Sequence, residues 1–180
     1  RSGGPSQAMT MMNTNMDLDI EDYVAVDFSA MATVVDCLGG LDVPLSYEEI
    51  VHMNNHCVET SEQTGLDYTP IERPDPAPEN EAEILGEYHL NGVQVTAYCR
   101  IRQTLSGDMG RTERQRRVLD LLADKAKSTS LTKLTSILDQ VFPMIQTSFS
   151  KSELMKLGMS ILSYKMGEST GFPVDYVMGQ

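Results

Sequence analysis

Leu90-Asn91-Gly92-Val93-Gln94-Val95-Thr96-Ala97-Tyr98-Cys99-Arg100-Ile101-Arg102, followed by Gly107-Asp108-Met109-Gly110-Arg111-Thr112-Glu113-Arg114-Gln115, is the stretch on which the reading of this 180-residue chain turns. Asn91-Gly92 punctuates the chain, and a short helix is predicted over Val93–Tyr98. Arg100 and Arg102 lie two apart, so in an extended segment both side chains point to one side. Gly107 to Gly110 reads as a turn that holds Asp108, just ahead of a long helix from Arg111 to about Lys127. On that helix Arg111, Arg114 and Gln115 fall at i, i+3 and i+4, hence on one stripe. Free backbone N–H groups at a helix start add donors for an anion. Together these pieces place guanidinium forks and backbone donors around one diphosphate, with a carboxylate close by for Mg²⁺ or for proton transfer. Mg²⁺ favours one or two carboxylates plus phosphate oxygens, which suits a lone Asp beside a phosphate site.

Outward from this stretch the chain is acidic, with 26 acids against 14 bases and a net charge of −12. Six of the eight arginines lie between positions 100 and 117, beside only Asp108 and Glu113. That window therefore carries +4 and the other 162 residues −16. Arginine without lysine favours forked, planar recognition of phosphate or carboxylate oxygens. Composition leaves a second reading equally open, a solvated helix face that holds acids elsewhere in the fold. Nucleic acid is not an expected partner, because the −16 remainder repels a duplex and few aromatics stand near the arginines for stacking. Hydrophobic residues at 41% and charged residues at 22% are near the globular average, and the length suffices for one domain with a real core. No run approaches the roughly 18 apolar residues of a bilayer span, and no apolar stretch behind Arg1-Ser2-Gly3-Gly4 makes a cleavable signal.

Periodicity and punctuation supply the remaining elements. A helix is expected over Gly3–Met16, with Pro5 in its first turn, and a short strand over Tyr23–Val26. Phe28–Leu38 reads as a mostly buried helix, with Ser29 as N-cap and Gly39-Gly40 as its stop. Leu41–Leu45 reads as a strand, with Pro44 at its end or on an edge. Ser46 followed by Glu49 is a capping box, opening a polar helix to about Ser61. Pro70, Pro74, Pro76 and Pro78 make an exposed, acid-rich loop of residues 69–87. Helices follow over Leu131–Val141 and from Lys151 to about Lys165, the second capped by Ser150, and Gly171–Val177 reads as a last strand. About seven helices against three or four strands mean a mostly helical fold, or one whose other strands are missing. Cys37 is expected to be a buried small hydrophobe, and a Cys57–Cys99 disulfide is admissible in an exported protein. His52 and His56 read as a solvated face rather than a metal site. The twelve methionines read as plain core before a flexible lipid pocket.

The two quoted runs resemble the LytR-CpsA-Psr (LCP) family of bacterial cell-envelope proteins. Its hallmark is close to Leu-Asn-Gly-x-Gln-Ala-x-x-Tyr-x-Arg-x-Arg, then Gly-Asp-x-Gly-Arg-x-x-Arg-Gln. Tyr23–Phe28 and Val35–Val43 look like the family's central strand, helix and Gly-Gly turn, and the resemblance extends from about Gly3 to Ser163. Val95 and Thr96 stand where Ala and Leu are usual. The resemblance implies an α/β fold, an α-β-α sandwich around a central mixed sheet. Here it is helix-rich, with residues 1–180 forming a single truncated domain.

What the resemblance further implies is a phosphotransferase, a glycopolymer–peptidoglycan ligase. Such an enzyme moves a polyprenyl-diphosphate-linked anionic glycopolymer, of teichoic acid or capsule type, onto peptidoglycan. Arginines and Mg²⁺ (or Mn²⁺) would hold the diphosphate, and an apolar tunnel the prenyl tail. By motif position Arg100, Arg102, Arg111 and Gln115 would hold the diphosphate. Asp108 and Arg111 would be the catalytic pair, Asp108 orienting arginines or assisting the metal, with no certain metal ligand in this chain. Older labels make the family a transcriptional attenuator, but nothing here supports DNA binding. The family's Arg-Ser-Asp-Thr and Pro-Arg-Asp motifs are absent, so the chain reads as the C-terminal part of the catalytic domain. Its partner would be the N-terminal part of the same domain, and alone it would be inactive. The implied location is the outer face of the cytoplasmic membrane, with the anchor in the full-length protein and this chain soluble. The alternative is a non-catalytic binding module for polyprenyl diphosphate or anionic wall polymer.

Overall fold

Asp27 opens the helix that organises the fold. In a computed structural model, which describes residues 3–104 and 107–161, its carboxylate accepts the Ala30 N–H at 2.8 Å. The cap therefore falls two residues before the expected Ser29: Asp27 has the extended backbone of an N-cap, and its acceptor reaches the helix's third residue. Helix α2 then runs Phe28–Leu38, burying Ala30, Ala32, Val35 and Leu38. Gly39 closes it in the left-handed region at φ 88°, and the Gly40 N–H donates to the Val35 carbonyl at 2.9 Å. A Cβ on Gly40 would lie 2.8 Å from the Leu90 carbonyl oxygen, so the turn admits only glycine.

The strand that follows, β2 (Leu41–Ser46), buries Leu41, Val43 and Leu45 on one face. It pairs antiparallel with β3 (Ile84–Leu90), from Leu41 opposite Leu90 to Leu45 opposite Gly86, with a register shift between Leu45 and Ser46. The exposed loop thus gives up its last four residues to a strand. Ile84-Leu85-Gly86-Glu87 lacks a clean alternation and inherits its polarity from the acids before it, which hid the strand. Ser46 and Glu49 form the expected reciprocal box, with N–H to side-chain oxygen distances of 3.1 and 3.3 Å. Helix α3 (Tyr47–Thr64) outruns the expected Ser61 by three residues, until Gly65 at φ 70° ends it.

Helix α4 (Gly92–Tyr98) buries all seven of its residues between α2 and α3. A Cβ on Gly92 would sit 2.1 Å from the Ala32 carbonyl oxygen, so glycine is what lets the two helices approach. Helix α5 (Gly107–Lys127) begins four residues earlier than expected. Gly107, at φ 50°, lets the chain enter, and Gly110 lies buried inside the first turns. Two glycines that read as a turn are here part of the helix. Val118 joins the main core with Val35, Ile50, Met53, Val93 and Tyr98, while Leu121 and Leu122 pack at its edge. Each such side chain contributes about 1.5–3 kcal/mol by leaving water.

Helix α6 (Leu131–Val141) places Ile137 and Val141 against Ala30 and Leu38, forming a second, smaller core. The unforeseen strand β4 (Gln146–Thr147) pairs antiparallel with β1 (Val24–Ala25), two residues each. Helix α7 (Lys151–Ile161) starts from Ser150, whose hydroxyl accepts the Glu153 N–H at 3.3 Å. The strand expected over Gly171–Val177 lies outside the described residues. The fold is α/β and helix-rich, as expected. Its strands among the described residues form two separate antiparallel ladders rather than one central mixed sheet, because the two-residue β1 and β4 pair only with each other.

Three smaller expectations change. Cys37 is half-buried, with its Sγ 3.6 Å from the Gln140 Oε1, and all three cysteines are free, so no Cys57–Cys99 bond forms. Met53 is the one fully buried methionine among the described residues, so methionine is not the general core filler. Helix α1 (Gly4–Met16) forms but buries none of its residues.

Candidate functional site

The Asn91-Gly92 element is structural. The Asn91 side chain accepts the Gln94 N–H at 3.0 Å, and Gln94 Oε1 accepts the Asn91 N–H at 2.8 Å, which caps α4 reciprocally. The Asp36 carboxylate accepts the Gly92 N–H at 2.7 Å and ties that start to α2. Gln94 Nε2 and Asn91 Nδ2 donate to the carbonyls of Thr69 and Asp67 and hold down the start of the proline-rich loop. A rigid, buried α4 therefore delivers the arginines at its exit.

Arg100 leaves α4 and turns toward α3. Its guanidinium reaches Glu59 Oε2 at 2.7 Å and Thr60 Oγ1 at 3.0 Å, and lies 4.8 Å above the Phe28 ring. The side chain is only 18% exposed, so these partners fix it. Arg102, two residues on, is 60% exposed, and its Nε lies 3.4 Å from the Asp108 carboxylate. Arg111 on α5 approaches the same Asp108 oxygen at 3.3 Å, and its buried Nε has no hydrogen-bond partner among the described residues. Gln115 Nε2 donates to the Cys99 carbonyl at 3.3 Å, linking α5 to the end of α4.

Arg100, Arg102, Arg111 and Gln115 line one open cleft of about 620 Å³, together with Asp27 and Phe28 at the start of α2. All four sequence-selected diphosphate residues thus meet, although residues 101–104 are irregular rather than extended. Asp108 does not line the cleft. It stands 73% exposed in the first turn of α5, where the helix dipole favours an acid, and braces Arg102 against Arg111.

Arg114 departs from the predicted stripe. At about 100° per residue, positions i+3 and i+4 straddle the direction of i and lie about 100° from each other. Gln115 therefore joins Arg111 at the cleft, and Arg114 turns inward to 5% exposure. There its Nε pairs with Glu49 Oε1 at 2.9 Å. Nearby, Arg117 donates to the Tyr98 hydroxyl at 2.8 Å. Burial, and then the Glu49 carboxylate, push the Tyr98 phenol well above its ordinary range. The arginine island is thus divided: three residues wall the cleft, and Arg114 serves the core.

Sequence reasoning missed Asp27, Phe28 and Thr96 at this cleft. Thr96 is 1% exposed and its hydroxyl lacks a partner among the described residues. Its departure from the family's usual Leu was the available signal. A separate apolar pocket of about 250 Å³, lined by Val34, Leu134, Ile137, Leu138, Met155 and Met159 among others, lies between α2, α6 and α7. Among the described residues no group of three or more His, Cys, Asp or Glu could hold a metal ion. Asp108 already faces two guanidinium groups, so the residues present do not by themselves fit a protein-held Mg²⁺.

Fold and cleft define an α/β protein with an arginine-walled cleft. The sequence pattern of the LytR_cpsA_psr family matches residues 1–175, and the chain belongs to that family. It is 27% identical over 161 residues to polyisoprenyl-teichoic acid–peptidoglycan teichoic acid transferase TagV of Bacillus subtilis (strain 168), covering 86% of this chain and 35% of TagV. To the transferase TagU of Enterococcus faecalis (strain ATCC 700802 / V583) it is 28% identical over 163 residues, covering 89% of this chain and 45% of TagU. The crystal structure of B. subtilis TagV superimposes with a TM-score of 0.60 at 26% identity, over 90% of this chain and 54% of that one. TagT bound to LI-WTA shares the fold, with a TM-score of 0.65 at 22% identity over 91% and 53% of the two chains. The chain thus spans less than half the length of the curated relatives it matches.

Proposed function

We propose that this chain supplies the arginine-walled part of a site that holds the diphosphate of a polyprenyl-linked anionic glycopolymer. Its transfer to peptidoglycan would be the activity of the whole protein. The carrying observation is the convergence of Arg100, Arg102, Arg111 and Gln115 on one cleft. Clustered, fixed cations stabilise charge that develops on a transferring phosphoryl group. Arg102 is the most available of them, while Glu59 and Phe28 hold Arg100 in place. A teichoic acid polymer fits the names of the relatives; a capsule polymer carries the same anionic chemistry. The prenyl tail would use the apolar pocket, since Met31 at the cleft and Val34 at the pocket are one turn apart on α2.

Mg²⁺ or Mn²⁺ would come with the diphosphate oxygens and the rest of the site. The location that accords with such substrates is the outer face of the cytoplasmic membrane. Among the described residues no helix is long and apolar enough to cross a membrane. One observation favours holding over turnover by these residues alone: Asp108, the candidate acid, stands outside the cleft between two guanidinium groups. Incubation with polyprenyl-diphosphate-linked teichoic acid, peptidoglycan and Mg²⁺ tests this. Retention of the lipid-linked polymer without release of polyprenyl phosphate is expected. Rapid turnover by the 180 residues would contradict a partial site, and absence of any retention would contradict the diphosphate cleft.

A further inference from the structure

We propose that Arg114 is the positioning residue of the cleft, fixing where Arg102 and Arg111 stand relative to each other. This rests on the diphosphate reading of the cleft. Three polar faces of one guanidinium reach three places. Nε pairs with Glu49 of α3 at 2.9 Å, Nη1 donates to the Ile101 carbonyl at 3.2 Å, and Nη2 donates to the Thr104 hydroxyl at 2.7 Å. Ile101 and Thr104 bracket Arg102 and Gln103, so the irregular segment that carries Arg102 is pinned at both ends by the helix that carries Arg111. The anchor itself is rigid. Glu49 Oε2 accepts the Ser46 N–H in the α3 cap, and Oε1 takes both Arg114 and the Tyr98 hydroxyl. Without this clamp, residues 101–104 have no ladder or helix to hold them at the cleft. Lysine cannot replace it, because one ammonium does not span three separated acceptors.

Two variants test the assignment. Arg114→Lys keeps the charge and removes the fork. Glu49→Gln with Arg114→Met keeps an acceptor for the α3 cap and leaves no unpaired buried charge. Three readouts apply to each: the thermal midpoint, the amide order parameters of Ile101–Gln103, and the Kd for inorganic pyrophosphate by calorimetry. Positioning is supported if folded variants lose order at Ile101–Gln103 and bind pyrophosphate at least about tenfold more weakly. Folded variants with wild-type affinity overturn the positioning role while the cleft reading stands. Failure of the wild-type chain to bind millimolar pyrophosphate overturns the cleft reading, and the proposal with it. Loss of fold in both variants makes Arg114 a residue of the fold alone and equally overturns the assignment.

Discussion

Arg111 and Arg114 are the same residue type, three positions apart on one helix, and they do opposite work. One lines the wall of an open cleft, and the other is buried against Glu49. Burial decides comparable differences among the thiols. Cys57 and Cys99 are both pushed up to about 12 by burial from an ordinary 9.0, but only Cys57 is fully buried; Cys37 and Cys99 are half-buried. Iodoacetamide at pH 8 is expected to alkylate Cys37 ahead of Cys57, which is left until the chain unfolds, as peptide mass mapping will show. Equal labelling of Cys37 and Cys57 in the folded chain would contradict the core packing. The same groups set an alkaline limit. A raised folded pKa stabilises the fold fully below the unfolded value near 9, and that stability is lost as pH rises toward 12. Each of these two thiols lowers the stability as pH rises across that window.

At the scale of elements, close approach is the governing constraint. Gly92→Ala forces a methyl group into the Ala32 carbonyl and separates α4 from α2. A loss of about 3 kcal/mol is expected in urea unfolding, the upper end for overpacking. A loss under about 1 kcal/mol would mean that the helices slide apart freely. Capping chemistry was legible in the sequence: Ser46–Glu49 and the Gly39-Gly40 stop appear as read, since each is a local interaction between neighbours. What was not legible depended on partners far along the chain. Strand β3 exists because Leu41, Val43 and Leu45 present a ladder to it, and β4 because β1 does. The site followed the same division. Residue types and spacing placed Arg100, Arg102, Arg111, Arg114 and Gln115 together, and the family resemblance singled out the four that line the cleft. The inward turn of Arg114 depended on the distant Glu49, and the outlying position of Asp108 on where α5 begins.

For the whole molecule, the uneven charge is the organising fact. A body carrying −16 surrounds one window of +4, and within that window Arg114 is neutralised by Glu49. The field of the chain as a whole therefore disfavours extended polyanions, while the proposed role of the cleft is to meet a short anion with guanidinium forks. Asp108 and Glu59 do not cancel this. They hold Arg102, Arg111 and Arg100 in place from outside or from the rim, at distances of 2.7–3.4 Å. The measurement that bears most directly on the cleft is calorimetric titration of the chain with farnesyl diphosphate and with farnesyl monophosphate. Wild-type protein and the Arg102→Ala and Arg111→Ala variants are compared. Saturable binding of the diphosphate, weaker binding of the monophosphate, and a loss of about tenfold or more in each folded variant are expected, each charged hydrogen bond contributing about 1.5–3 kcal/mol. Equal affinity for the two lipids, or affinity unchanged by both substitutions, would contradict the account.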